Sequence, residues 1–482
     1  FSELNIGGIA IAHNGNLTNT NQLKEKLIRS GSIFQSTSDT EVILHLLSTS
    51  SGDLLERLTY ALNSISGAYS LLLMTIDKLI GVRDPFGIRP LVLGKYKNSY
   101  VLSSESCGLD IIGAELIRDV EPGEIVIIKE NKIQSIKPFK RTQLRPCLFE
   151  YIYFSRPDSI FEGRNVYDVR KKIGFELANE NKDDKKKIDV VIPIPDSGNA
   201  SALGYSERIK KPFEFGIIRN HYTGRTFIQE STSIRHLSVK LKHNPNLLSL
   251  KNKNIALIDD SIVRGTTSIK IVEMLRNCGV KKIHMRIASP PVKFPCFYGI
   301  DTPTKKELLA SRYSIQEIQK YIGVDSLNFI SLDGVYKALG HKKGRDKKKP
   351  DPIGSRVRDA LGRSFGRKQK KFYWDGKDDE TRDPRIHFNT FTASEALVPA
   401  PPQPAFLQYI SRHLHPAMSN YLWYEIFFSV TSLVITYQTI IPILFAPEEI
   451  GTTPSNANMK SIRPHTKGRG GSSLVFRDMS SV

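Results

Sequence analysis

The segment Ile255-Ala-Leu-Ile-Asp-Asp-Ser-Ile-Val-Arg-Gly-Thr-Thr-Ser268 carries the clearest chemistry in the chain. An apolar run delivers Asp259 and Asp260 at its carboxyl end, and Gly265 with Thr266, Thr267 and Ser268 then opens a helix at about Thr267. Open α/β sheets bind ligands at the carboxyl ends of their strands. A glycine beside small hydroxyl residues at a helix start lets backbone N–H groups close around a phosphate. Adjacent carboxylates accept hydrogen bonds from ribose hydroxyls or help to hold Mg2+. An Asp-Ser turn that only caps a helix is the bland alternative. The apolar run before the acids and Gly-Thr-Thr after them favour the phosphate site. Asp196-Ser197 follows a second apolar run, residues 190–194, which brings a hydroxyl to the same sheet edge.

A second candidate is His13-Asn14-Gly15-Asn16, directly after the apolar run 8–12. Asn-Gly is the commonest tight hairpin turn, so the residues alone favour a turn here. The four cysteines, Cys107, Cys147, Cys278 and Cys296, are too few and too scattered for a disulfide scaffold. They contain no C-x-x-C pair that would suggest zinc, and a reducing compartment is the natural expectation.

The elements that must position these groups follow from periodicity. Helices are expected after Asn21, closing near Gly31, after Asp39, and after Asp53. Val42, Ile43, Leu46 and Leu47 share one face of the second, and Leu54, Leu55, Leu58 and Leu62 one face of the third. The short apolar runs 70–76, 90–94, 100–103 and 125–128 read as consecutive antiparallel strands. From about Tyr151 helices alternate with the runs 190–194 and 255–258, which suits a parallel sheet buried on both faces. The fold class is therefore α+β followed by α/β.

At 482 residues the chain has room for two or three domains, each with a real core. Its formal charge of +20 points, at face value, to nucleic acid or an anionic membrane. Residues 341–371, however, hold thirteen Lys/Arg against three Asp, half of that excess, outside every motif. The charge marks where the motif-bearing sequence stops. Beyond it lie a Pro-rich stretch, 399–404, and an uncharged run of 21 residues, 426–446. That run could span a hydrocarbon core of about 30 Å, or could be a buried helix. Its flanks, Glu425, Glu448 and Glu449, carry no positive-inside signal.

Residues 255–268 resemble the phosphoribosyl-diphosphate (PRPP) loop of type I phosphoribosyltransferases. Four further segments narrow the resemblance to the amidophosphoribosyltransferase family: Cys147-Leu-Phe-Glu-Tyr-Ile-Tyr-Phe-Ser-Arg-Pro-Asp-Ser159, Val191-Ile-Pro-Ile-Pro-Asp-Ser197, Tyr222-Thr-Gly-Arg-Thr-Phe-Ile228 and Phe297-Tyr-Gly-Ile-Asp301. With Thr37-Ser38-Asp39 and Arg83-Asp84-Pro85-Phe86-Gly87-Ile88-Arg89-Pro90, the His13–Asn16 segment resembles an N-terminal-nucleophile glutamine amidotransferase domain. The resemblance implies a partial amidotransferase domain over 1–145, a phosphoribosyltransferase domain with a parallel sheet over 146–340, and an unrecognised tail over 341–482.

The implied activity is transfer of ammonia, normally derived from glutamine, to PRPP. The products are 5-phosphoribosylamine and diphosphate, in the first step of purine synthesis. By matching position, Ser197, Asp259 and Asp260 would contact Mg2+ and PRPP. Ser261, Arg264, Gly265, Thr266, Thr267 and Ser268 would hold the substrate, mainly its 5′-phosphate. Arg225 would meet the diphosphate from a mobile loop. Asn14 and Gly15 would form the oxyanion hole of the glutamine site, and Asp39 would bind the glutamine amino group.

The residues depart from the family in two places. Its nucleophile is an N-terminal cysteine that would lie upstream of Phe1, so the reading is of an N-terminally truncated chain without glutaminase activity. Cys107 sits mid-chain and is no substitute. One branch of the family also carries a [4Fe-4S] cluster. Cys147 and Cys296 match two of its ligands, while the expected C-x-x-C after Gly340 does not occur. The resemblance further implies nucleotide inhibitors, a homotetramer, a cytoplasmic location and no nucleic acid partner, with membrane association only if 426–446 spans. A non-catalytic PRPP-sensing regulator is the alternative, but no winged-helix or helix-turn-helix segment is recognisable.

Overall fold

In a computed structural model, the described residues are 1–220, 243–302 and 304–341. The basic block, the run 426–446 and Arg225 fall outside them. The amino-terminal half is built on a six-stranded antiparallel sheet. Its strands are β1 (Ser2–Leu4), β2 (Gly7–Leu17), β3 (Gly67–Met74), β4 (Leu79–Arg83), β8 (Ile125–Lys129) and β9 (Lys132–Ile136), neighbours in that order. A second sheet joins β5 (Val92–Tyr96) to β6 (Ser99–Ser103) and β7 (Glu115–Asp119).

Period-two alternation decides which face each side chain covers. Leu71, Leu73, Ile80, Val82, Ile125 and Ile127 pack with residues of the helices Thr20–Arg29, Asp39–Thr49 and Leu54–Ser64. Leu72, Leu79, Val126 and Ile128 face the other way, onto Leu93 and Leu102 of the second sheet. Both faces are covered, so these strands read as continuous apolar runs. Two of the three helices start where their caps stand: Ser38 accepts from the Thr40 amide, and Asp53 with Glu56 forms a capping box.

The expected turn at Asn14-Gly15 is a correction. Strand β2 runs straight through both residues, with Asn14 opposite Ser70 and Gly15 opposite Tyr69. Packing rather than turn geometry demands the glycine. A Cβ on Gly15 would lie 2.0 Å from the Ala68 carbonyl oxygen, and a Cβ on Gly299 would in turn lie 2.7 Å from Gly15 Cα.

The second half adds the two-residue hairpin strands β10 (Ile160–Phe161) and β11 (Arg164–Asn165), then β12 (Val190–Pro193), β13 (Ile217–Arg219), β14 (His243–Pro245), β15 (Asn254–Asp259), β16 (Lys282–Ile287) and β17 (Ser326–Phe329). Strands β12, β15, β16 and β17 form a wholly parallel sheet in that order. Ala256 and Ile258 face the helices Val166–Glu180 and Asn199–Ile209, while Ile255 and Leu257 face the helix Thr266–Asn277. Parallel pairing with helices on both faces is what these uninterrupted apolar runs require.

Polar contacts join the two halves. Arg83 donates to Glu162 at 2.6 Å, and Ser159 Oγ and the Arg156 amide donate to Glu105 at 2.7 and 2.8 Å. Asn16 Nδ2 reaches the Phe297 carbonyl at 2.9 Å.

Candidate active site

The phosphate-site residues gather at the carboxyl edge of the parallel sheet. Strand β15 ends on Asp259, and the helix Thr266–Asn277 begins seven residues later. Asp259 and Asp260 are both buried. The Asp260 amide donates to Asp259 Oδ1 at 2.9 Å, and Ser261 Oγ donates to Asp260 Oδ2 at 2.6 Å. Burial, reinforced by the Asp260 charge alongside, pushes the Asp259 carboxyl well above the usual range. No Lys or Arg among the described residues pairs with either carboxylate within ion-pair distance.

Gly265 takes a left-handed φ of 74° as it enters the helix, and a Cβ there would meet Leu309 Cδ2 at 2.8 Å. The Ile269 amide closes the first helical bond, on the Gly265 carbonyl at 3.0 Å. The amides of Thr266, Thr267 and Ser268 therefore precede the helical ladder, where the helix dipole favours an anion.

Ser197 arrives from the adjacent strand. Pro193 of β12 pairs with Ile258 of β15, and the Ile194 amide donates to the Ile258 carbonyl at 2.8 Å. The loop after β12 is thereby held beside the acid pair. Asp196 is exposed and ion-paired with Arg219, a partner that sequence reasoning missed. Arg264 is turned to Glu307, with Nε 3.0 Å from Oε1. Glu307 lies in no recognised motif and was also missed.

The glutamine-site candidates Asn14 and Asp39 lie 25 positions apart, and each has its own partners. Arg89 donates from Nε and Nη2 to Asn14 Oδ1 at 3.1 and 2.8 Å, and Asn14 Nδ2 lies 3.4 Å from Ser104 Oγ. Asp39 accepts from the Leu17 amide at 2.8 Å and stands 3.4 Å from His13 Nδ1. Although burial opposes it, His13 and the Leu17 amide hold the Asp39 carboxyl below its ordinary range. Cys107 is buried, and desolvation with the nearby Glu105 charge raises its thiol to about 11. At neutral pH it stays protonated.

Cys147 packs among Ala68, Ile88, Phe149, Tyr298 and Ile300, and Cys296 Sγ accepts from the Tyr298 amide at 3.4 Å. Among the described residues, no group of three or more His, Cys, Asp or Glu side chains is placed to hold a metal by itself.

Two family descriptions cover these two centres. Residues 2–110 match the glutamine amidotransferase domain and residues 159–289 the phosphoribosyl transferase domain. The amidophosphoribosyltransferase of Rhizobium etli is 49% identical over 385 residues, covering 76% of each chain. The chain belongs to the amidophosphoribosyltransferase family.

Another amidophosphoribosyltransferase, from Bacillus subtilis, is 45% identical over 343 residues, covering 71% of each chain. The solved glutamine PRPP amidotransferase of B. subtilis, complexed with ADP and GMP, superposes with a TM-score of 0.68 at 44% identity. That match covers 73% of this chain and 76% of the other. As an amidophosphoribosyltransferase, the chain is a pentosyltransferase of the first step of purine biosynthesis. Among the described residues, no helix is long and apolar enough to cross a membrane.

Proposed function

We propose that phosphoribosylamine forms over the loop 259–268, with PRPP as electrophile and ammonia as nucleophile. The convergence of Ser197, the buried Asp259–Asp260 pair and the open amides of 266–268 at one sheet edge carries this reading. The 5′-phosphate takes the helix-start amides and Arg264, released from Glu307. The ribose hydroxyls donate to Asp260 and Asp259. The C1–oxygen bond then breaks, with its electron pair leaving on diphosphate. The ammonia lone pair forms the C1–N bond, and a proton passes from nitrogen to solvent. Carboxylates beneath a sugar that is gaining positive charge stabilise that change.

The acid pair suits Mg2+, which binds through one or two carboxylates together with substrate phosphates. Two buried, all-oxygen acids without a paired cation among the described residues supply such a donor set. Asp259, Asp260 and Ser197 would hold the ion, which when bound neutralises charge on the leaving diphosphate. A [4Fe-4S] cluster does not fit the residues present, because Cys107 and Cys278 pack in other parts of the fold from Cys147 and Cys296. Nucleotides share the ribose 5′-phosphate of PRPP and would compete for the same amides.

In the amino-terminal half, Asn14 Nδ2 and the Gly15 amide would serve as oxyanion donors, and Asp39 as the anchor for an ammonium group. The domain boundary is proposed at residues 145–146.

The test supplies PRPP, Mg2+ and ammonium and follows diphosphate release. Release is expected from the parent, with loss in Asp259→Asn combined with Asp260→Asn. Folded parent protein that binds PRPP without releasing diphosphate would support the regulator instead.

A further inference from the structure

The Asn14 side chain can do oxyanion chemistry only if its N–H2 end faces the reacting carbonyl, and an amide has no intrinsic preference between its two ends. Arg89 removes the ambiguity. A guanidinium has donors and no acceptor, so the group it meets at 3.1 and 2.8 Å must be the Asn14 carbonyl oxygen. Nδ2 is thereby turned to the opposite side, toward Ser104.

Arg89 is itself held from three directions. Its carbonyl accepts from Arg83 Nε at 2.9 Å and from Ser70 Oγ at 3.2 Å, which pins the backbone. Nη1 stands 2.7 Å from Glu150 Oε1, with both side chains 1% exposed. The guanidinium also lies 4.4 Å from the Phe154 ring centroid. Glu150 and Phe154 are the two ends of a single π-helical turn, Glu150–Phe154, at the start of the transferase half. Glu150 in turn accepts from Ser155 Oγ at 2.7 Å, and Arg170 ties that turn down by donating to the Tyr151 and Ser155 carbonyls at 2.8 and 2.7 Å.

We propose that Arg89 is the positioning residue for Asn14, and that Glu150 and Phe154 of the transferase half hold Arg89 in that role. The orientation of the amidotransferase donor is then set by residues of the neighbouring domain. A buried ion pair suits such a task, because two desolvated charges in direct contact are costly to separate. The inference rests on reading Asn14 as the oxyanion donor, but its test does not use glutamine and so stands apart from that reading.

The whole chain is labelled with 15N-asparagine and deuterated elsewhere, and side-chain amide order parameters are measured. The Asn14 resonance is assigned by its loss in Asn14→Asp. In the parent, Asn14 is expected near the rigid value of about 0.85. In Glu150→Gln, which leaves every Asn14 contact partner in place, the value falls below about 0.6. Phe154→Leu removes the ring under Arg89 without changing any charge and moves the value the same way; it decides the matter if Glu150→Gln fails to fold. Asn16, on the same strand but bound to Phe297, stays unchanged in both variants and so separates positioning from general loosening. An Asn14 amide that remains rigid in a folded Glu150→Gln or Phe154→Leu protein overturns the proposal. So does a parallel loss of order at Asn16.

Discussion

Arg264 must leave Glu307 before it can serve a phosphate, which makes Glu307→Gln an informative substitution. The pair is an exposed one, with the two side chains 54% and 46% accessible and a single contact at 3.0 Å. Such pairs contribute about 0.2–1 kcal/mol, and less as salt screens them. Glu307 also accepts from the Thr304 amide and hydroxyl at 3.1 and 3.0 Å, which a glutamine oxygen can still do, so the loop 304–307 keeps its shape. The substitution thus removes one negative charge and the competition for Arg264 while leaving the fold in place. PRPP affinity should rise by about 1.4- to 5-fold at low salt, the equivalent of 0.2–1 kcal/mol, with kcat unchanged. The assay is ammonium-dependent diphosphate release against PRPP concentration at two ionic strengths, with PRPP binding measured directly by calorimetry. The gain should vanish at about 1 M salt, where the Debye length is about 3 Å. A KM that is unchanged or raised in Glu307→Gln at low salt, while Arg264→Ala weakens binding, would show that Glu307 does not restrain Arg264.

Three other outcomes are expected. Arg286 donates from Nε and Nη2 to buried Asp184 at 2.6 and 2.8 Å, so Arg286→Met should cost about 3–5 kcal/mol in denaturant unfolding. Adding Asp184→Leu should recover most of that loss. Stability should also fall as pH drops below about 6.5, because burial, with Arg286 nearby, lowers the His284 pKa from 6.5 and the unfolded chain takes up that proton first. Asp184 acts at lower pH: despite its burial, Arg286 holds its pKa below 3.8, so its contribution is present above that pH and is lost on further acidification. Melting temperatures across pH 3–8 check both, and His284→Gln should flatten the upper limb. Finally, Gly299→Ala places a Cβ 2.7 Å from Gly15 Cα at a φ of 102°, where strain and overpacking each cost about 1–3 kcal/mol. Its melting temperature should drop well below that of Gly163→Ala, where φ is also positive but nothing lies within 4 Å.

What the sequence makes legible here is what is contiguous. The acid pair, Gly265 and the helix start lie within one short segment, and the strand before them is a run of apolar side chains. Chemistry and placement could therefore be read from one segment. The helices of the amino-terminal half were legible for the same reason, since caps such as Asp53 and Glu56 stand three residues apart. Asn14-Gly15 misleads because its glycine answers to Ala68 and Gly299, neither of them local, while a local rule for Asn-Gly predicts a turn. Arg89 and Glu150, though inside quoted motifs, and Arg286 were given no role on the same ground: their partners are 75, 61 and 102 positions away, and nothing in an isolated arginine or glutamate announces burial. The distinction is physical. A backbone phosphate cradle needs only local geometry, whereas a side-chain donor such as Asn14 needs an orientation that its own strand cannot impose. The residue that imposes it has to come from elsewhere in the fold: Arg89, 75 positions along the chain, which Glu150 and Phe154 hold in turn.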